Sequence, residues 1–297
     1  MKSLSKIGIA IATVFTASLF IFAISGEEKS KQLKEGTAQY FPVEIDFAGE
    51  KVPLQMDDVK ERFDRELLVN ANLHSSTILI LKRANRAFPV IEPILAKYGV
   101  PDDFKYLAVI ESALANATSP SGAKGVWQFM PATAKEKGME VTEAVDERYD
   151  LIKSTEAACS YLLKAKEKFG NWTLAAASYN GGMTGVQNKL DEQRVSSYYD
   201  VLLTDETARY VFRILALKEI MKNPAMYGFD LSQKELYRGL QTKTVMVDST
   251  INNLADFAIS QEINYKILKI HNPWLRDKKL DNPNKKVYKI EIPVEGY

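Results

Sequence analysis

From Phe88 to Lys222 the chain is broken at short intervals by glycine and proline, and the stretches between repeat their apolar residues every three or four positions. Such a chain is restricted to a mainly α fold of short, packed helices. Helices are predicted over 90–98, preceded by Pro89 and stopped by Gly99, and over 102–115. A short one over 131–137 ends at Gly138. Another over 154–169 starts on Ser/Thr capping residues and ends at Gly170. An Ala-rich one over 173–179 stops at Gly181-Gly182. The last, 205–222, carries Asp205 and Glu206 in its first turn, where acidic groups suit the helix dipole. Upstream, 57–72 and 75–88 are also helical in pattern. After Gly228 the texture changes to a strand over 244–247, two short helices over 251–259 and 265–270, and a strand over 286–292. That unit is a small α+β module.

The chain has 39 Lys+Arg and 38 Asp+Glu, so its formal charge of +1 gives no bulk pull toward nucleic acid. Its one cysteine, Cys159, excludes an intrachain disulfide and sits in an apolar helical stretch, as a small core residue would. With two histidines, His74 and His271, and neither in a pairing motif, no metal site or cofactor is expected. Lys2 and Lys6 precede an uncharged apolar run over 7–24, and Ala23-Ile24-Ser25 offers small residues for cleavage after Ser25. The run is also just long enough to span a bilayer. Residues 1–25 are therefore a signal peptide or a retained membrane anchor, and 26–55, polar and irregular, a linker.

One residue stands out chemically. On the helix over 102–115, Phe104, Leu107, Ala108, Glu111 and Leu114 share one face, and Tyr106, Val109, Ile110 and Ala113 make the other apolar as well. Glu111 is the only charged residue between Lys105 and Lys124. Burial would raise its pKa toward that of a general acid working near neutral pH. The competing reading is a glutamate that caps backbone amides or pairs with a distant cation. The segment that follows, 116–131, is Gly-punctuated and then abruptly aromatic, with Trp127 and Phe129 as flat stacking faces and Gln128 as an amide. Such a mixture suits a sugar; a surface loop entering a core segment is the plainer alternative.

Four stretches then carry a resemblance. Glu111-Ser112, followed by Gly122-Ala123-Lys124-Gly125-Val126-Trp127-Gln128-Phe129-Met130-Pro131, resembles the first two motifs of the soluble-lytic-transglycosylase (SLT)-like family. Ala177-Ser178-Tyr179-Asn180-Gly181-Gly182 resembles the third, and Glu206-Thr207-Ala208-Arg209-Tyr210-Val211 the fourth. The order is right, and the likeness spans about 88–222. Asp146-Glu147-Arg148 and Ser154-Thr155-Glu156 are similar to the membrane-bound lytic transglycosylase D subgroup. Trp127 stands where the soluble enzymes usually carry Met. The C-terminal region, with Asn264 to Ile270 and then Asn272-Pro273-Trp274, resembles a degenerate LysM-like module. There Trp274 could be core or a stacking platform.

The resemblance implies a goose-lysozyme-like α-helical catalytic domain over 56–228 and a LysM-like module over 229–297. It implies a periplasmic or cell-envelope enzyme acting on peptidoglycan glycan strands, held at the membrane if the leader is retained. It implies cleavage of the β-1,4 bond between N-acetylmuramic acid and N-acetylglucosamine with a 1,6-anhydro product. Carried over residue by residue, Glu111 is the catalytic acid/base. Ser119, Gln128, Met130, Tyr179, Asn180, Glu206 and Tyr210 line the substrate site. Two alternatives stay open: a lysozyme-like hydrolase with Glu206 as second carboxylate, and a non-catalytic peptidoglycan-binding protein.

Overall fold

The structure, a computed structural model, describes residues 40–295; the expected leader at 1–25, and residues 26–39 after it, lie outside the described residues. The described residues from Pro42 onward form one compact unit. It opens with a hairpin of β1 (Asp46–Phe47) and β2 (Glu50–Lys51), turned by Ala48 and Gly49, both left-handed. The expectation of a linker fails for this part. Ile45, Phe47 and Val52 are buried, and Phe47 meets the edge of Phe104 at 5.1 Å. Burying these apolar side chains fixes the segment to the helical body.

The helices follow as α1 (Asp57–Asn72), α2 (His74–Tyr98), a 3-10 turn at Asp102–Phe104, α3 (Lys105–Ser112), α4 (Pro131–Glu136), α5 (Leu151–Phe169), α6 (Trp172–Gly181), α7 (Met183–Gln193) and α8 (Asp205–Lys222). Helix α8 is the hub and packs on α1, α3 and α6. It is buried nearly all round, from Tyr210 to Phe212 and from Ile214 to Ile220. Its Lys218 is held by Asp103 at 2.6 Å and Asp46 at 3.2 Å, tying the hairpin and the entry to α3 onto it.

Three local expectations change. The two helices expected on either side of Pro89 are one, α2, running through Pro89 and Pro93. Both prolines are exposed, so the carbonyls they leave unpaired face water, while Thr77, Ile80, Ala84, Ala87, Ile91 and Leu95 keep an unbroken buried stripe. Helix α5 starts three residues early because Asp150 is its cap, accepting from the Lys153 amide at 3.0 Å. Helix α3, expected to run to Ala115, stops at Ser112, with Ala113 and Leu114 left-handed at φ 51° and 58°. Helix α7 has no clear sequence signal; only Val186 and Leu190 on it are buried.

The C-terminal module is α+β as expected. It pairs β3 (Thr242–Val247) antiparallel with β4 (Tyr288–Pro293) and inserts α9 (Leu254–Ser260) and α10 (Tyr265–His271). Buried Asn272 laces it together, donating to Glu291 O at 2.7 Å and accepting from Glu291 N at 2.8 Å. Trp274 is core, stacked on Tyr288 at 5.5 Å. Val145 and Tyr149 of the preceding domain share this core. Backbone bonds join the two segments, Asp146 N to Trp274 O at 2.9 Å and Arg276 N to Ala144 O at 2.7 Å. Lys286 adds ion pairs to Glu140 and Glu147. No helix among the described residues is long and apolar enough to cross a membrane.

Candidate active site

Glu111 sits in the last turn of α3, half-buried, while Tyr106 to Ile110 before it are buried. Its carboxyl accepts a hydrogen bond from the Tyr210 hydroxyl on α8. Burial pushes the carboxyl up to about 7 from 4.5; the Tyr210 bond and the Arg213 charge pull the other way, and Glu206 adds to the rise. A carboxyl so placed is largely protonated in mild acid and shared between forms near neutrality.

Glu206, Tyr210 and Arg213 fall on one stripe of α8 at steps of four and three. Glu206 is exposed and accepts from the Asn180 amide at 3.1 Å; Thr207 donates to the other end of Asn180 at 2.7 Å. Tyr179, one residue back on α6, donates to Trp127 O at 2.9 Å, and its ring leans on Phe129 and Tyr161. Burial, and secondarily the charge of Glu111, hold the Tyr179 hydroxyl well above its ordinary pKa. Five of the sequence-selected residues, Glu111, Tyr179, Asn180, Glu206 and Tyr210, thus form one connected group.

Two parts of the chain match known protein families. Residues 89–201 match the transglycosylase SLT domain, and 243–296 match the soluble lytic transglycosylase C-terminal LysM-like domain. The chain carries an SLT transglycosylase domain. It is homologous to the membrane-bound lytic murein transglycosylase D of Escherichia coli strain K12, 28% identical over 221 residues. That match takes in 71% of this chain and 48% of the relative, so the chain spans about half the relative's length. Among solved structures, the 70 kDa soluble lytic transglycosylase of E. coli is similar over 50% of this chain and 26% of its own, with 23% identity and a TM-score of 0.39. An inactive mutant of the lytic transglycosylase Slt from Pseudomonas aeruginosa covers the same shares at 22% identity and a TM-score of 0.37.

The other three sequence-selected residues lie on the loop between α3 and α4. Gln128 is left-handed at φ 50° and spends its amide on Gly125 O at 2.7 Å and Ala117 O at 3.2 Å, bracing the loop. Ser119 accepts from Ala123 N at 3.0 Å and pairs with Ser121, so its hydroxyl serves its own turn. Met130 is exposed. Trp127 and Phe129 are not stacking faces: they are 0% and 3% exposed. The Trp127 indole donates to Thr155 at 2.8 Å, so its polar edge is satisfied inside the core.

The loop rests on a buried pair that the sequence marked only as a subgroup signature. Arg148 is bidentate to Asp146 at 2.8 and 2.9 Å and donates to Gly122 O and Phe129 O. Gly125 approaches so closely that a Cβ there would lie 1.8 Å from Arg148 O. Arg213 also escaped the sequence reading, although it continues the stripe of Glu206 and Tyr210.

The Tyr210→Phe variant tests the contact nearest the carboxyl. Losing a donor that favours the ionised form raises the Glu111 pKa further. Catalytic activity is expected to fall roughly 10–100-fold, a hydrogen bond to a charged group being worth ~1.5–3 kcal/mol. Its alkaline limb should move to higher pH, and an unmoved limb would deny Tyr210 this role.

Proposed function

We propose that the chain is a peptidoglycan lytic transglycosylase that cleaves the β-1,4 bond between N-acetylmuramic acid and N-acetylglucosamine and leaves a 1,6-anhydro ring. The observation that carries this reading is the half-buried Glu111 carboxyl, raised to about 7 and held by Tyr210 beside the Tyr179–Asn180–Glu206 group. The SLT domain match and the name of the E. coli relative supply the substrate class.

In this reading Glu111 acts twice. Protonated, it donates to the glycosidic oxygen as the bond to the muramic anomeric carbon breaks. As carboxylate, it takes the proton of the C6 hydroxyl, and that oxygen closes on the anomeric carbon. Proton and charge balance, and no water is consumed. The substrate's own N-acetyl oxygen supports the cationic carbon between the two steps. Asn180 of α6 and the exposed Met130 of the loop meet the sugar, while Ser119, Gln128 and Tyr179 hold the loop in shape. Glu206 is exposed and bound to Asn180, the place of a site wall. The homology to a membrane-bound murein enzyme supports a place in the cell envelope. The C-terminal module would bind glycan alongside.

The alternative, a hydrolase with Glu206 as second carboxylate, follows from Glu206 lying near enough to raise the Glu111 pKa. Mass spectrometry of muropeptides released from sacculi separates the two. Anhydro-muropeptides, one water lighter than hydrolysed forms, are expected; reducing ends alone would establish hydrolysis, and intact sacculi would leave a binding protein.

A further inference from the structure

Helix α3 ends in a way its own sequence does not support. A helix leaves its last carbonyls without amide partners, and a left-handed glycine commonly closes the end. Here the left-handed positions are Ala113 and Leu114, at φ 51° and 58°. The Ala113 amide returns to Val109 O at 2.8 Å and the Ala115 amide to Ser112 O at 3.1 Å. The Ile110 and Ala113 carbonyls take their partners from far away. Arg213 of α8 donates to Ile110 O at 3.1 Å. Arg83 of α2 donates to Ala113 O at 3.1 Å. Glu111 lies between those two carbonyls in the chain.

We infer that Arg83 and Arg213 are positioning residues: a two-sided clamp on the end of α3 that fixes the Glu111 carboxyl for both of its proton transfers. The inference rests on the function proposed above. Both arginines are half-buried, and both come from helices packed against α3. A planar guanidinium on a backbone carbonyl fixes direction as well as distance. The two arms differ in kind. Arg213 also acts on the carboxyl by charge, whereas Arg83 acts on the backbone alone.

The charge has a chemical use. The C-terminal end of a helix carries partial negative charge and disfavours a carboxylate there. Protonated Glu111 suits bond breaking, but ring closure needs the carboxylate. The groups acting on Glu111 are Glu206, Tyr210 and Arg213 from α8, and its charge in turn reaches Tyr179 on α6, with Arg83 of α2 on the adjoining backbone. Among the described residues Arg213 is the cation whose charge acts on the carboxyl, so it keeps the ionised state within reach after the first step.

The test measures Arg83→Ala, Arg213→Ala and Arg213→Lys in the full chain. Two readouts are taken: the pH dependence of kcat and KM on sacculi, and the titration of the Glu111 side-chain carbonyl by 13C NMR without substrate. Arg213→Ala should lower kcat at least tenfold with KM little changed and move the Glu111 titration to higher pH. Arg213→Lys should restore the titration but not the full kcat. Arg83→Ala should lower kcat with the titration unmoved. Variants that lose only melting temperature, or an Arg213→Ala titration that stays in place, overturn the clamp. The NMR arm needs no product, so a wild type that yields no anhydro-muropeptides would defeat the proposed reaction while the titration still decides the clamp's electrostatic arm.

Discussion

The Glu111→Gln variant is expected to fold, to bind glycan strands and to turn over roughly 10²–10⁴-fold more slowly, the range general acid-base catalysis supplies. The amide keeps the shape of the side chain and can still accept from Tyr210, but it has no proton to give and cannot take one back. Its stability profile gives a second check that needs no substrate. In the fold the carboxyl titrates at about 7, against 4.5 for an ordinary glutamate. Between those values the native state holds a proton that the unfolded chain has released. Stability therefore falls as pH rises through the window, and the loss is complete above the folded pKa. The wild type loses on the order of 1–3 kcal/mol in this way, at the lower end where solvent screens the open side of the carboxyl. The variant carries no such loss. Its melting temperature should gain on that of the wild type between about pH 4 and about pH 8. Turnover above a tenth of wild type, or a melting difference that does not grow with pH, would remove Glu111 from its assigned role.

What could be read from the sequence was local. Asp57–Asn72 and Asp205–Lys222 have the bounds their first-turn acids and apolar spacing predict. Glu111 was visible because one charge on a helix apolar all round has few explanations. The failures share another cause. Whether Trp127 faces a sugar or the core depends on Thr155, 28 residues away. Whether Pro89 ends a helix depends on which face of it meets water, and that is set by the packing of the stripe beneath. The early start of α5 was missed because Ser154 and Thr155 look like caps; in the fold they bond back into the first turn, to Asp150 O and Leu151 O. Likewise Asp146-Glu147-Arg148 was a pattern without a purpose until the loop it supports was in view.

That support predicts the largest stability effect. Asp146 and Arg148 are 3% exposed each and bidentate to one another, and the guanidinium also holds the carbonyls of Gly122 and Phe129. The Asp146→Ala variant leaves that guanidinium buried without its counterion, Lys124 being the wrong sign to replace it. Breaking one side of a buried pair costs about 3–5 kcal/mol. In a domain of this size that lowers the melting temperature by roughly 10 °C. The damage should run two ways. Gly125 packs on the Arg148 carbonyl, so the loop carrying Gln128 loses its floor and activity falls with it. The same segment meets Trp274 and Leu275 across backbone bonds, so protection against amide exchange should fall in the C-terminal module too. Lys286→Ala is the control: its partners Glu140 and Glu147 keep other contacts and its own side chain is 39% exposed, so at most ~1 kcal/mol is lost. Differential scanning calorimetry with hydrogen exchange of both regions decides it. If Asp146→Ala melted within about 2 °C of wild type, well short of the several kcal/mol that a broken buried pair costs, the loop would owe its shape to its own turns instead of to the pair beneath it.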